Sequence, residues 1–296
     1  MSSESSSVSK SHILDTMNIS ENTLNRHLPE YPITDSDILN IPVANLDYDG
    51  VVDQIIRWGQ ARENRYVGVC NVHSITASTW DQKLKHALTG SDMNTADGMP
   101  LVWMQKLLGH KKASRVYGPT LMLKTLEKAV PKGLRMAFYG GHPQRLSVFL
   151  NNLMLKFPGI EIVETISPPF RPLSEKEDAH YIQLLNEAKP DIIWVGIGCP
   201  KQEIWMMEHS PKVPGVMIGV GAAFDFHAGA VMQAPSFVQK IGMEWFFRFC
   251  CEPRRLFKRY LTTNPVFIYR AACQLANKAL HGRHYIHSRT NPDWTK

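Results

Sequence analysis

The 296-residue sequence contains no apolar run long enough to cross a bilayer, because charged or polar residues interrupt every stretch of about 18 residues. Its first ten residues are polar and Ser-rich, and they include no apolar core of a signal peptide. We therefore expect neither secretion nor a transmembrane span. Collagen-like, wholly disordered and disulfide-scaffold proteins are also excluded, since 44% of the residues are hydrophobic and 20% are charged.

Cysteine is scarce, and its spacing matches no metal site. The five cysteines form no C-x-x-C pair and no zinc-type pattern, and they are Cys70, Cys199, Cys250, Cys251 and Cys273. An odd number in this arrangement is typical of a reducing cytoplasm. The sequence also lacks the motifs of P-loop nucleotidases, zinc proteases and serine hydrolases, which argues against those three classes.

Two D-x-D patterns, Asp35-Ser-Asp37 and Asp47-Tyr-Asp49, match the arrangement by which metal-dependent sugar-nucleotide enzymes hold Mn²⁺ or Mg²⁺. Both lie near the expected start of the folded chain, with predicted helix starts after them. We interpret them as helix caps, and we predict no essential metal and no cofactor.

Positive charge is concentrated in the last fifth of the chain. Of the 33 Lys and Arg residues, eleven lie within residues 240–296, where three Asp or Glu accompany them and the net charge is +8. Because the whole chain carries +6, residues 1–239 carry −2. A cationic segment on a nearly neutral body predicts a local anionic partner, which is phosphate, nucleic acid or an acidic membrane surface.

Composition and periodicity divide the chain into three parts. Residues 1–35 are predicted to be a flexible Ser-rich leader, residues 36–239 a folded core and residues 240–296 a basic amphipathic appendage. Within the core, the hydrophobic pattern predicts helices over residues 49–61, 74–88, 100–108 and 121–129, and a strand over residues 66–70.

Three later segments of the core share one pattern, in which an apolar β-type run leads through two glycines into a helix start. The glycine pairs are Gly140 and Gly141, Gly196 and Gly198, and Gly219 and Gly221. Strands that alternate with helices predict the parallel sheet of an α/β fold. Because glycines let backbone amides approach a phosphate, we expect the ligand at these strand ends.

Residues 252–261 predict a basic amphipathic helix. At about 100° per residue, an apolar arc of Leu256, Phe257, Tyr260 and Leu261 lies opposite a cationic arc of Arg254, Arg255, Lys258 and Arg259. Such a helix either lies in an anionic membrane interface or packs on the body with its basic side in solvent. This segment alone leaves both alternatives open.

Several polar residues follow short apolar stretches or predicted strands. Asp97 lies in a turn before a helix that begins with proline, where a carboxylate either acts as a general base or stabilises the turn through its own backbone. Lys201, Gln202 and Glu203 open a helix, and they predict either phosphate or base recognition or a charged first turn. His73 follows another strand, where a single histidine is more often structural than catalytic.

The segment Gly219-Val-Gly221 has the first two glycines of a dinucleotide fingerprint, but the third position is Phe224. An NAD(P)-dependent oxidoreductase is therefore an alternative function, and glycines that only permit a tight turn are the structural alternative. A nucleic-acid binder that uses the basic tail ranks last, because its cations accompany an apolar arc and no nucleic-acid module is recognisable.

Eight motifs follow one another along the chain. They are Asn71-Val-His-Ser, Asn94-Thr-Ala-Asp97-Gly98, Arg115-Val-Tyr-Gly118, Tyr139-Gly140-Gly141, Val195-Gly196-Ile-Gly198-Cys-Pro200-Lys201-Gln202-Glu203, Gly219-Val-Gly221-Ala-Ala-Phe224-Asp225, Ala234-Pro235, and Gly242-Met-Glu244-Trp245 through Arg248 and Arg254-Arg255 to Arg259-Tyr260. Their order resembles the WecG/TagA/CpsF glycosyltransferase family, glycosyltransferase family 26, over about residues 40–270.

The resemblance implies a Rossmann-like fold of the GT-E type, with helices on both faces of a parallel sheet and a C-terminal helical basic appendage. It implies an inverting, metal-independent transfer from a UDP-sugar to a polyprenyl-diphosphate-linked saccharide in cell-surface polysaccharide synthesis. The transferred sugar would be of the N-acetylmannosamine type, its uronic acid, or glucose. The enzyme would bind the anionic cytoplasmic face of the plasma membrane, and it would self-associate. The resemblance implies no nucleic-acid partner.

By motif, the resemblance gives Asp97 the place of the general base and puts Asn71, Arg115 and Gln202 in the pocket. The appendage arginines, which would close over the site and neutralise diphosphate, are Arg248, Arg254, Arg255 and Arg259. The other motif positions that we assign to substrate binding are Gly140, Gly141, Gly198, Lys201, Glu203, Gly221 and Asp225.

Overall fold

The structure is a computed structural model that describes residues 33–235, 237–238, 242–282 and 284–288. The predicted leader, residues 1–35, lies outside these ranges except for residues 33–35. The strands are β1 (Thr34–Ile38), β2 (Ile41–Ala44), β3 (Arg65–Cys70), β4 (Met93–Ala96), β5 (Arg135–Gly140), β6 (Glu161–Ile166), β7 (Ile192–Gly196), β8 (Val216–Gly219) and β9 (Ile286–Ser288). The helices are α1 (Tyr48–Gln60), α2 (Val72–Ala77), α3 (Gln82–Thr89), α4 (Met99–Leu108), α5 (Gly118–Ala129), α6 (Pro143–Lys156), α7 (Glu175–Ala188), α8 (Lys201–His209), α9 (Ala223–His227), α10 (Glu244–Cys251) and α11 (Pro253–His281).

Six strands form a parallel sheet in the order β4-β3-β8-β7-β5-β6. Every neighbouring pair in it is parallel, so the carboxyl ends of all six strands lie along one edge. The predicted α/β class is confirmed. The helices predicted over residues 49–61, 100–108 and 121–129 are present with ends shifted by at most three residues.

Helices cover both faces of this sheet, as the alternation of side chains along β5 illustrates. Tyr139 points to one face and stacks on Trp205 of α8, with 4.1 Å between ring centroids. Its neighbour Phe138 points to the other face and meets Phe149 of α6 edge-on at 5.3 Å. Successive residues of a strand face opposite sides, so each strand contributes to two packed layers.

The predicted helix over residues 74–88 is wrong, because the chain breaks it into α2 and α3. Asp81 caps α3, and its carboxylate accepts the N–H of Leu84 at 3.0 Å. Before it, the hydroxyls of Ser78 and Thr79 donate to backbone carbonyls of α2. Side chains that bond locally to the backbone compete with helix continuation, which explains the break.

A small antiparallel sheet of order β2-β1-β9 lies beside the large one. The helix-cap interpretation of Asp35-Ser-Asp37 is wrong, since these residues lie in β1 and Asp35 is buried. The chain turns after β1 through Leu39 and Asn40, both at positive φ as a tight hairpin requires. The Asp47 prediction is confirmed, because its carboxylate accepts the N–H of Gly50 at 3.0 Å and caps α1. Within the described ranges, no group of three or more His, Cys, Asp or Glu side chains is placed to hold a metal ion.

The C-terminal segment comprises α10, α11 and β9, and we refer to it as the appendage and to residues 33–235 as the body. The appendage packs on the body through Phe267 and Ala271, which are buried in the same core as β1 and α4. The amide of Gln274 bonds β1 and its turn, donating to the carbonyl of Asp37 at 2.6 Å and accepting the N–H of Leu39 at 3.0 Å. The later part of α11 therefore packs on the body, and membrane binding by residues 252–261 stays a prediction. Among the described helices, none is long and apolar enough to span a membrane.

We expect Gly140→Ala to destabilise the folded protein far more than Gly133→Ala does. A Cβ on Gly140 (φ +126°) would lie 2.5 Å from the backbone carbonyl of Gly196, whereas one on Gly133 (φ +66°) meets nothing within 4 Å. Backbone strain and overpacking together lower the free energy of unfolding of Gly140→Ala by about 3 kcal/mol, against about 1 kcal/mol for strain alone. Urea denaturation followed by circular dichroism measures both, and equal losses would contradict the packing argument.

Candidate active site

Two polar side chains follow the ends of neighbouring strands. β3 and β4 run parallel with Cys70 opposite Ala96, so the next residues, Asn71 and Asp97, leave the sheet side by side. The N–H of Asp97 donates to the carbonyl of Cys70 at 2.8 Å, which fixes the turn that carries the carboxylate. The fold thus brings together two of the predicted site residues where ligands bind in parallel sheets.

The side-chain oxygen of Asn71 accepts hydrogen bonds from two different parts of the protein. Its Oδ1 caps α2 by accepting the N–H groups of His73 at 3.0 Å and Ser74 at 3.2 Å. The same oxygen accepts Nη2 of Arg259, which reaches it from α11 at 3.4 Å. The cap of a body helix is therefore also a contact point for an appendage arginine.

Arg115 connects Asp97 with the appendage. Its Nε donates to the backbone carbonyl of Asp97, and its Nη2 lies 3.7 Å from the Asp97 carboxylate and 2.7 Å from Oε2 of Glu244 on α10. The Asp97 carboxylate also accepts the N–H of Gly118 at 3.4 Å. In the described part of the chain, no N–H group of its own turn donates to this carboxylate, so the turn-stabilising alternative finds no support.

The surroundings of Asp97 make its carboxylate more basic than usual. The side chain is 19% exposed, and burial is the main reason that the pKa of Asp97 is raised to about 6. Arg115, Arg248 and the N–H of Gly118 oppose this rise in pKa, while Glu244 adds to it. Asp97 is therefore ionised at neutral pH yet accepts a proton readily, as a general base must.

Two arginines near Asp97 make cation–π contacts with aromatic rings. The guanidinium of Arg115 lies 4.3 Å from the ring centre of Tyr117, and that of Arg248 lies 5.4 Å from the ring centre of Phe226. Burial by itself lowers the pKa of Arg115, but its two carboxylate partners raise it above the ordinary value. Both partners therefore hold Arg115 in its charged form.

His73 faces the same region, although its position in the sequence favoured a structural role. Burial, and next the charge of Arg259, lower the pKa of His73 to about 4, so the imidazole is neutral at pH 7. Its Nδ1 is buried and finds no hydrogen-bond partner among the described residues. The positive charge around Asn71 and Asp97 accordingly comes from arginines.

A cavity of about 640 Å³ lies between the body and the appendage, a volume typical of small-molecule sites. Its polar end contains Asp97, and its apolar end runs between α4 and α11. Five of the predicted site residues line it, and they are Asn71, Asp97, Arg115, Arg248 and Arg259.

The inner face of α11 differs from the predicted one. Leu256, Arg259, Tyr260 and Thr263 all line the cavity, because positions three, four and seven residues apart share a helix face. Assigning Arg259 to a cationic arc opposite Leu256 and Tyr260 was therefore wrong. Phe257, by contrast, is exposed.

The other predicted ligand residues lie at the carboxyl ends of β5, β7 and β8. Four of them are glycines at positive φ, a region that glycine enters at little cost, namely Gly140 (126°), Gly141 (76°), Gly198 (82°) and Gly221 (56°). Their turns carry backbone amides past the strand ends, where anionic ligands bind in α/β folds.

The first turn of α8 is not the open, charged turn that one alternative predicted. Gln202 and Glu203 are buried at 4% and 2% exposure, whereas Lys201 is exposed. Nε2 of Gln202 donates to Oε1 of Glu203 at 2.9 Å, and burial raises the pKa of Glu203. The amide fills the space left by Gly219, whose Cβ would lie 3.1 Å from Nε2. The side chain of Gln202 therefore packs against β8, and Glu203 is buried beside it.

Nine other predicted residues are not among the lining residues of this cavity, namely Gly140, Gly141, Gly198, Gly221, Lys201, Gln202, Glu203, Asp225 and Arg254. Asp225 lies in α9 and pairs with Arg145 at 3.2 Å. Arg254 is exposed on α11 and is not part of the lining. The backbone of Arg255 belongs to α11, and its side chain lies outside what the structure describes.

Glu244 and Trp103 are among the cavity residues that received no role from the sequence, although Glu244 stands in the eighth motif. Glu244 precedes Arg248 by four residues, a spacing that places two side chains on one helix face, so the sequence did contain an indication. Trp103 of α4 lines the apolar end, and no local pattern distinguishes it from a core residue. Only the packing of α11 beside α4 makes it part of a site.

Residues 36–280 match the model of the glycosyl transferase WecG/TagA/CpsF family. Two similar curated proteins share the name N-acetylglucosaminyldiphosphoundecaprenol N-acetyl-beta-D-mannosaminyltransferase. The one from Bacillus spizizenii is 31% identical over 169 residues, which cover 57% of this chain and 64% of that relative, slightly less than two thirds of its length. The one from Staphylococcus aureus is 26% identical over 239 residues, which cover 80% of this chain and 91% of that relative.

We expect Glu244→Gln to lower the pKa of Asp97 from about 6 toward the ordinary carboxyl value, because Glu244 raises it. Removing that charge also leaves Arg115 with Asp97 as its remaining carboxylate partner among the pairs described. A ¹³C NMR titration of labelled aspartate carboxyls measures the change. Glu208→Gln, on the exposed side of α8, is the control that should leave the titration of Asp97 unchanged. An unchanged titration of Asp97 in Glu244→Gln would contradict the coupling.

Proposed function

The chain belongs to the WecG/TagA/CpsF family of glycosyltransferases, and we propose that it transfers a sugar from a UDP-sugar to a polyprenyl-diphosphate-linked saccharide. The product would serve the synthesis of a bacterial cell-surface polysaccharide. The names of the two relatives, which specify an N-acetylglucosaminyl diphosphoundecaprenol acceptor, support this proposal.

The observation that carries the proposal is a basic carboxylate beside arginines in one cavity. Asp97, with its pKa raised to about 6, takes the proton of the acceptor hydroxyl as that oxygen attacks the anomeric carbon. The bond between that carbon and the UDP oxygen breaks on the opposite face. A single displacement of this kind inverts the anomeric configuration. Arg115 orients the base by holding its backbone carbonyl.

Arg248 and Arg259 offset the charge that develops on the departing diphosphate. Both line the cavity that contains Asp97, and a guanidinium binds phosphate oxygens through two parallel N–H groups. In this proposal they take the place that a divalent ion has in metal-dependent transferases. Arg254 and Arg255 would join them when substrate is bound.

UDP lies, in this proposal, along the glycine turns that follow β5, β7 and β8. The positive-φ turns at Gly140, Gly141, Gly198 and Gly221 supply amides, and Lys201 supplies a cation at the start of α8. The relatives' names favour an N-acetylmannosamine donor over its uronic acid or glucose.

We place the enzyme at the cytoplasmic face of the plasma membrane as a peripheral protein. Exposed aromatic and aliphatic side chains of the appendage, Trp245, Phe246, Phe257 and Leu261, lie close in sequence to its exposed cations. Apolar side chains that enter the interface and cations that attract anionic lipids together favour such binding.

The packing around Phe224 weighs against the oxidoreductase alternative. This residue stands at the third position of the partial dinucleotide fingerprint and is buried. Its ring fills the space beside two glycines, since a Cβ on Gly141 would lie 3.3 Å from it and one on Gly196 only 2.8 Å. The third glycine of a dinucleotide fingerprint permits close packing of the helix on the strand, and a buried phenylalanine occupies that position here.

We expect Asp97→Asn to lower kcat by about 10²-fold to 10⁴-fold, because the amide keeps the shape of the carboxylate but accepts no proton. Release of UDP is followed with purified enzyme, a UDP-sugar and a lipid-diphosphate acceptor, with EDTA present because the proposal requires no metal. Calorimetric UDP binding should persist in the variant. Full activity of Asp97→Asn would remove this residue as the base, and a wild-type rate abolished by EDTA would contradict the charge-offset role of the arginines.

The rate of the wild-type enzyme should depend on pH through Asp97. The active form is the ionised one, so kcat/KM should be constant well above pH 6 and fall about tenfold per pH unit below the pKa of about 6. Initial rates in buffers of constant ionic strength measure this profile. Glu244→Gln should shift the acidic limb to lower pH, and a profile with no limb near pH 6 would contradict the assignment.

A further inference from the structure

The cavity continues beyond its arginines as an apolar groove between α4 and α11. Its walls are formed by Trp103 and Leu107 of α4 and by Phe267, Ile268, Ala272 and Leu275 of α11. Several of these side chains are also open to solvent, with Trp103 48%, Leu107 60% and Ile268 67% exposed. Apolar surface of this kind, continuous with a polar site, marks a place where apolar ligand atoms bind.

We propose that this groove binds the first isoprene units of the acceptor's polyprenyl chain, an inference that rests on the proposed function. The acceptor is an amphiphile in which a saccharide, a diphosphate and a hydrocarbon follow one another. The cavity has the same order, with Asp97 at one end, Arg248 and Arg259 next to it, and the apolar groove beyond.

The length of the groove can be estimated from the residues that α11 contributes to it. It contributes Arg259 at the polar end and Leu275 at the apolar end, sixteen residues apart. At 1.5 Å per residue these positions are separated by about 24 Å along the helix axis. The groove therefore extends well past the diphosphate, and hydrocarbon is the only part of the acceptor on that side.

The two walls of the groove are joined at its far end, and the appendage is tied to the body near its polar end. At the far end, Nζ of Lys278 on α11 donates to the carbonyl of Leu107 on α4 at 2.9 Å. At the polar end, Arg115 of the body and Glu244 of the appendage form their 2.7 Å ion pair. A preformed groove binds a flexible chain without the cost of ordering its own walls.

The chemistry of the lining favours hydrocarbon over a second sugar or nucleotide. Where the groove begins, the hydroxyl of Thr263 is already engaged, donating to the carbonyl of Arg259 at 2.8 Å. Beyond it the amide of Asn264 is the one other polar group of α11 among the described lining residues, and Ala271 joins the six apolar side chains named above. A sugar placed there would lose its hydrogen bonds to water without replacement, whereas an isoprenoid loses none.

Ala272→Phe tests the groove, because it places a phenyl ring on the wall without touching the residues around Asp97. Ala276→Phe is the matched control on an exposed position of the same helix that does not line the cavity. Each protein is assayed with two acceptors that carry the same saccharide diphosphate, one on a long polyprenyl chain and one on a short alkyl chain. Both acceptors are presented in the same detergent.

The expected readout is the ratio of the KM values of the short-chain and long-chain acceptors. For the wild type and Ala276→Phe the long chain should lower KM about tenfold or more, and in Ala272→Phe the ratio should fall to near one. An unchanged ratio in Ala272→Phe would overturn the groove assignment. Absence of transfer to either acceptor by the wild type would instead refute the proposed function.

A photoreactive probe gives a second measurement that does not depend on a variant's stability. A polyprenyl diphosphate with a diazirine on its second isoprene unit is irradiated with the wild-type protein and the labelled peptides are identified. Labels within α4 and residues 267–275 of α11 would support the groove. Labels confined to the outer side chains of residues 245–261 would overturn it in favour of a chain that stays in the bilayer.

Discussion

The site depends on one guanidinium that serves two carboxylates. Arg115 holds the backbone of Asp97 and pairs with Glu244, so it joins the end of β4 to the first helix of the appendage. Largely buried charges are stable only when they are paired, and removing any member of such a set leaves its partner unpaired. This network therefore orients the base, adds to the effect of burial on its pKa and ties the first helix of the appendage to the body.

The core of the fold followed from sequence patterns because its determinants are local. Apolar runs that end in glycine pairs predicted the strands of a parallel sheet, whereas the placement of Asn71 and Asp97 in one pocket was implied by the resemblance in motifs. Where pairing between distant segments determines the structure, the interpretation of the sequence was wrong. Asp35 looked like a helix cap, yet it lies in β1 because β2 and β9 pair with that segment.

The other half of the site lay beyond prediction for a related reason. Arg259 contacts Asn71 across 188 positions of sequence, and the helical wheel of an isolated segment does not reveal which arc meets the body. The buried positions of Gln202 and Glu203 likewise follow from the space beside Gly219. A resemblance in motif order identified most of these residues, but their grouping into a polar end and an apolar groove required the packing of α11.

The strand β9 adds a third member to the small sheet, and it does so from the end of the appendage. A protein shortened to residues 1–239 would lose this strand together with Gln274, which satisfies the turn after β1. The hydrogen-bonding groups of β1 would then face water along an open edge, and open edges recruit other chains. Poor solubility of such a fragment would accordingly report a missing neighbour for β1 and would carry no information about the integrity of the six-stranded sheet.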